Sequence, residues 1–178
     1  MATTDRPAAE PRRRALRLGL SGKLLVLTIL FVMIAEVLIY VPSIANFRRN
    51  WLNDRLSAAY TAALVLEAAP GAMVPESLAR QVLDSIGARA VAMKMGQQRR
   101  LLAVSDMPPT VDYDIDMRDM SLFREIMDAF GTLFENDKVV LRVVGPAPMG
   151  GEFVEIVINE APLQAAMLRY SANILLVS

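Results

Sequence analysis

The sequence predicts an α+β domain carried on a membrane-spanning helix. Three observations predict it. Residues 24–41 form an apolar run of eighteen whose only charge is Glu36. Beyond Pro42 the apolar residues recur first at helical spacing, then at every second position, then at helical spacing again. Two β-branched stretches, 138–144 and 152–159, flank a turn rich in glycine and proline. The order helix, helix, hairpin, helix, hairpin, helix describes a roughly four-stranded antiparallel sheet with flanking helices.

The apolar run comes first. As a helix it is about 27 Å long, close to the roughly 30 Å hydrocarbon core of a bilayer. Thirteen of its residues are Leu, Ile, Val or Phe; each favours insertion by roughly 0.3–0.6 kcal/mol, against a cost of roughly 3 for one carboxylate. Insertion wins despite Glu36. A cleaved signal peptide is the alternative, but no small-x-small site closes the run before Pro42. The span is therefore assigned to residues 23–42.

Net charge is zero, yet it is unevenly distributed. Arg6, Arg12, Arg13, Arg14, Arg17 and Lys23 precede the run, whereas thirteen Lys/Arg and sixteen Asp/Glu follow from Pro42 onward. The positive-inside rule places residues 1–22, a basic tail, in the cytoplasm. It places residues 43–171 outside, which in a bacterium means a protein of the inner membrane with a periplasmic domain. The arginine run is read as a topology signal, with no nucleic acid as partner. There is no Cys and no His, which removes disulfides, the common zinc ligand sets and Ser-His-Asp or Cys-His catalysis.

Taken in order, Pro42 suits a first helical turn, so a second helix is expected over 43–69. Its Leu52, Leu56, Ala59, Ala63 and Leu66 are spaced by four, three, four and three. Such a stripe packs either on the chain's own domain or along a parallel dimer seam. Phe47, Arg48, Arg49 and Trp51 suit an interfacial belt. A short helix with Leu78, Val82, Leu83 and Ile86 on one face ends at Gly87. Period-two alternation from Ala88, a turn at Gly96 and a return over 99–104 give the first hairpin. Residues 106–117 read as an acidic loop. From Asp119 or Ser121 to Phe134, the residues Leu122, Phe123, Ile126, Met127, Phe130, Leu133 and Phe134 make a wide apolar face, expected to be largely buried. The second hairpin is closed by 145–151. A last helix begins at Ala161, with Arg169 and Tyr170 as interfacial anchors, and 172–178 reads as the start of a second, truncated span.

The residues PSIANFRRNWLNDRL, then RRLLAVSDMPP, then RVVGPAPMGGEFVEIVINEAPLQAAMLRYSANILL carry a resemblance. Over roughly residues 23–178 the chain resembles the N-terminal region of alphaproteobacterial membrane-bound sensor histidine kinases. The resemblance is to a lineage and includes no catalytic motif. It implies a PAS-like or Cache-like periplasmic sensor domain, a homodimer, a second span, a HAMP linker, a phospho-accepting His and an ATP-binding kinase core using Mg. It implies a response regulator as downstream partner. With no His and no nucleotide-binding pattern, this sequence holds no kinase activity of its own, and no cofactor is expected in it.

Four groups of residues are candidate sites. Arg89 and Arg142 on strands, Tyr113 on the covering loop and Arg118 before the buried helix could clamp a small carboxylate or phosphate, because guanidinium forks match those anions; alternatively the arginines point to solvent. Asp112, Asp114 and Asp116 fall on one side of an extended chain and, with Asp119, could hold Ca²⁺ or Mg²⁺ by oxygen alone, or form a solvated loop. Gly150 and Gly151 lack the GK[ST] of a phosphate cradle and read as a hairpin loop. Glu36, inside the span, either makes a polar contact that biases a signalling state or is a tolerated carboxyl in a packed bundle.

Overall fold

The computed structural model describes residues 19–68, 75–95, 98–104, 110–134, 139–146 and 153–177. The elements are α1 (Leu20–Ala68), α2 (Glu76–Ile86), β1 (Ala88–Met95), β2 (Gln98–Val104), β3 (Tyr113–Asp116), α3 (Leu122–Phe134), β4 (Val140–Gly145), β5 (Phe153–Asn159) and α4 (Ala161–Val177). The chain divides into two units, Met1–Leu38 and Ile39–Ser178. Residues 1–18 of the basic tail and residues 147–152, with Gly150 and Gly151, lie outside the described residues.

In the first unit the described residues from Leu20 onward are helical. An eighteen-residue window of α1 has mean hydropathy 2.8 and none of it is buried, so this helix is long and apolar enough to cross a membrane. Thr28, a polar residue in the run, donates its hydroxyl to the Leu24 carbonyl at 2.9 Å, which satisfies it without water.

The break expected at Pro42 is absent. α1 is a single helix of 49 residues with Pro42 inside it. Proline removes one i to i−4 bond, but the residues that follow are held by tertiary packing: Ile44, Ala45, Leu52, Leu56, Ala59 and Ala63 are all buried. Four of the five residues proposed as a dimer seam, Leu52, Leu56, Ala59 and Ala63, therefore face their own domain. The side chain of Leu66 lies outside the described residues.

The second unit is built on one sheet of five strands in the order β2-β1-β5-β4-β3. The pairs β1–β2, β1–β5 and β4–β5 are antiparallel, whereas β3–β4 is parallel. The fold is thus α+β, but its sheet is mixed. The reason is the connection: β3 returns to β4 through α3, and a crossover helix joins parallel neighbours where a tight turn joins antiparallel ones. β3 falls within the stretch read as an acidic loop. It is tied at both ends, the Asp112 amide donating to Val140 O at 3.0 Å and the Met117 amide to Val144 O at 2.8 Å.

One face of the sheet carries Val91, Met93, Ile115, Leu141, Val143, Val154, Ile156 and Ile158, which form a single core with Ile44, Leu52 and Leu56 of α1, Leu83 of α2 and Leu163 and Met167 of α4. Leu56 lies so close to Gly145 of β4 that a methyl group there would collide with it. Gly87 ends α2 as expected, in the left-handed conformation at φ 67°, and Arg55 donates to the Ile86 carbonyl at 2.7 Å.

α3 corrects the sequence expectation most sharply. Its buried residues are Glu125, Ala129 and Thr132, while Leu122, Phe123, Met127 and Phe134 are exposed, Phe123 at 74%. The polar stripe faces inward because α1 presents two arginines to it: Arg49 lies 3.7 Å from Glu125 and Arg48 lies 3.9 Å from Asp128. The expected interfacial belt is also revised, since Arg48 is buried and Phe47 and Trp51 pack against the core. Tyr170, expected as an anchor, stacks on Phe47 with ring centroids 4.3 Å apart.

Candidate functional site

A cavity of about 510 Å³ lies within the second unit, between β3, the turn after it, α3 and the Arg48 turn of α1. Its volume falls within the ~300–1,000 Å³ of small-molecule sites. β3 supplies Tyr113, Asp114, Ile115 and Asp116; Asp119 and Met120 come from the turn; α3 adds Arg124, Met127, Asp128, Gly131 and Thr132; Leu141 and Glu160 complete the wall with Arg48.

Arg48 is the structural centre of this site. It is 4% exposed and donates Nε–H to Thr132 Oγ1 at 3.2 Å; Thr132 in turn donates to the Asp128 carbonyl at 3.1 Å. Burial lowers the guanidinium's pKa from its ordinary value, opposed by the negative charges of Asp128, Glu160 and Glu125. Arg49 answers Glu125 beside it, so Asp128 and Glu160 are the main counter-charges of Arg48. Glu160, the residue before α4, is 7% exposed and lies among the charges that act on Arg48. Every fully enclosed side-chain polar atom among the described residues has a partner.

The two groups of candidates on the outer part of the sheet pair largely with one another. Arg142 donates to Asp114 Oδ2 at 2.9 Å and, through Nε, to Glu155 at 2.5 Å. Arg118 grips Asp116 with Nε at 2.9 Å and Nη2 at 2.6 Å, and with its amide at 3.0 Å. The Asp112 carboxylate accepts the Val140 amide at 2.9 Å. The proposed anion clamp and the proposed cation site are therefore largely one set of ion pairs on a sheet face, and no group of three acids among the described residues is placed to hold a metal. Hydrogen bonding to Arg118 lowers the Asp116 carboxyl to about 2. Hydrogen bonding to Glu155 and Asp114 raises the Arg142 guanidinium. Arg118 is raised by Asp116 and lies 5.7 Å from the Phe153 ring.

Of the four residues assigned to the anion clamp, only Tyr113 lines the cavity. Arg89 is exposed and falls where the β1–β5 register shifts between Ala88 and Ala90, which removes it from the alternation expected of it. Glu36 belongs to the first unit. The residues missed were Arg48, Asp128, Thr132 and Glu160. Arg48 had a signal: it stands four residues after Ile44 and four before Leu52, a charge on the apolar stripe. Glu160 had a weaker one, an acid between an apolar strand and a helix.

Comparison with family models, with curated proteins and with solved structures finds no match to this chain.

Proposed function

We propose that this chain is the extracytoplasmic signal-input region of a two-component sensor histidine kinase, a PAS-like or Cache-like domain that passes a periplasmic signal through membrane helices to a kinase core outside this sequence. The observation that carries the reading is the pairing of α1 with α4. Tyr40 and Ser171 share a hydrogen bond of 2.7 Å, Ser43 and Tyr170 another of 2.7 Å, and Tyr170 stacks on Phe47. As residue number rises along α1 it falls along α4, so the two helices run antiparallel and Tyr40 and Ser171 occupy the same end of the domain. A displacement of one against the other at that end is the two-state element a sensor needs.

The kinase core would bring ATP, Mg²⁺ and the response regulator, and the receptor would act as a homodimer. Because the α1 stripe is buried in its own domain, the dimer contact would lie elsewhere. The coding sequence after Ser178 tests the proposal: continuation into a completed apolar span and a helix containing His-Glu supports it, and a stop codon at that point contradicts it. A second reading, a membrane-anchored scaffold that binds another protein without signalling, is favoured by one observation, the exposed Leu122, Phe123, Met127 and Phe134 on α3.

A further inference from the structure

Taking only the homodimer from the reading proposed above, we infer that the exposed apolar face of α3 is the contact between two copies of this chain, paired antiparallel about a two-fold axis. Phe123, Met127, Phe130 and Phe134 are spaced by four, three and four along α3, so at about 100° per residue they form one stripe. The stripe lies on the opposite side of the helix from the buried Glu125, Ala129 and Thr132. Ile126 and Leu133 along one edge meet the core, whereas Phe123, Met127 and Phe134 are 74%, 58% and 81% exposed. Phe130 and Phe134 stack with ring centroids 6.4 Å apart, which makes one end of the stripe a continuous aromatic surface.

Symmetry and area favour a second copy as the occupant. The spacing four, three, four reads the same from either end. An antiparallel two-fold pair therefore sets Phe123 against Phe134 and Met127 against Phe130, and covers all four side chains at once. On the charged flank the same pairing brings Arg124 beside Gly131 of the second copy, a position with open space where a Cβ would stand, so the two arginines do not face each other. Leu122, 75% exposed, extends the patch. Large side chains of this kind carry roughly 150–250 Å² each, so one protomer offers about 500–600 Å² of apolar surface, near the upper limit for the largest patch on a monomer. A pair buries about 1,000–1,200 Å² in all, which reaches the lower limit of specific interfaces.

Crosslinking of the full chain in membranes tests this, because the sequence has no cysteine. Gly131→Cys, beside the stripe, should give a product of twice the chain's mass with a short bis-maleimide, and Ser85→Cys, exposed on α2, should give none. Phe123→Glu and Phe134→Lys, each added to Gly131→Cys, should cut the dimer yield at least fivefold. Both together should restore it to within twofold, because residues 123 and 134 meet across the axis but stand about three turns apart within one helix. Both side chains are exposed in the protomer, so these variants act on association and should keep the circular dichroism of the parent. A dimer that survives either single change, a loss that the double change does not rescue, a product of another mass, or no crosslink at all overturns the inference. Dimers with the expected pattern in a chain whose coding sequence stops after Ser178 keep this inference and contradict the receptor reading. Absence of the Gly131→Cys dimer in a complete, active receptor does the reverse.

Discussion

Arg48 shows how much one residue on the wrong side of a pattern can decide. Placed on the apolar stripe of α1, it takes its charge into the domain and draws Asp128 toward it, while Glu125 answers Arg49 beside it. Arg48→Ala removes the counter-charge of Asp128 and of the buried Glu160 and is expected to lower the unfolding free energy by about 3–5 kcal/mol, measured by urea denaturation. Asp116 is the opposite case, an exposed pair. Its folded pKa of about 2 lies below the ordinary 3.8, so its contribution is present above pH 3.8 and is lost as pH falls through 2. Because both side chains are 47% exposed, solvent screening keeps that contribution small. Asp116→Asn should therefore cost a small amount at pH 7 and progressively less as pH falls below 3.8 and through 2. At this scale the sequence was half legible: the acids and arginines of the outer sheet face were identified as chemically notable, but as two separate sites. Their mutual pairing depends on the register of β3 against β4, Asp114 opposite Arg142, which no local pattern encodes.

The elements were legible wherever periodicity and packing agreed. α2, β1, β2, β4, β5 and α4 fall close to where alternation and turn residues put them, and Leu83, Val91, Met93, Leu141, Val143, Ile156 and Leu163 are buried as their patterns mark. β3 was hidden because it is four residues, YDID, with one buried side chain; a strand that short is specified by the edge it pairs with. α3 misleads for a different reason, since only one edge of its apolar face, with Ile126 and Leu133, meets the core, Leu122, Phe123, Met127 and Phe134 are exposed, and its polar stripe answers two arginines from another helix. Phe123→Ser should accordingly change stability by no more than about 0.5 kcal/mol, whereas Leu52→Ala should cost about 2–5 kcal/mol. Gly145→Ala forces Leu56 away from β4 and should cost about 1–3 kcal/mol. Thermal unfolding of the three variants separates these cases, and equal losses would contradict the burial described for α3.

For the whole molecule, the apolar run and the α+β class were readable from composition and spacing, while the parallel β3–β4 pair was not, because topology is set by long-range pairing. The proposed orientation has a simple check in a chain without cysteine. Ser85→Cys, exposed on α2, should react with a membrane-impermeant maleimide in intact spheroplasts, and Ala2→Cys only after lysis. Glu36→Gln should alter receptor output if the span conducts the signal; unchanged output and dimerisation would make that segment an anchor alone. The central proposal is that signal passes through the α1–α4 pair, and the side-chain bonds Tyr40–Ser171 and Ser43–Tyr170 are its handle. Each such bond contributes about 1 kcal/mol, roughly a fivefold shift in a two-state equilibrium. The most direct measurement is autophosphorylation of the complete receptor in native membranes with Tyr40→Phe and Tyr170→Phe combined: a change in basal output of at least threefold is predicted, and output equal to the parent from a folded double variant would contradict the account.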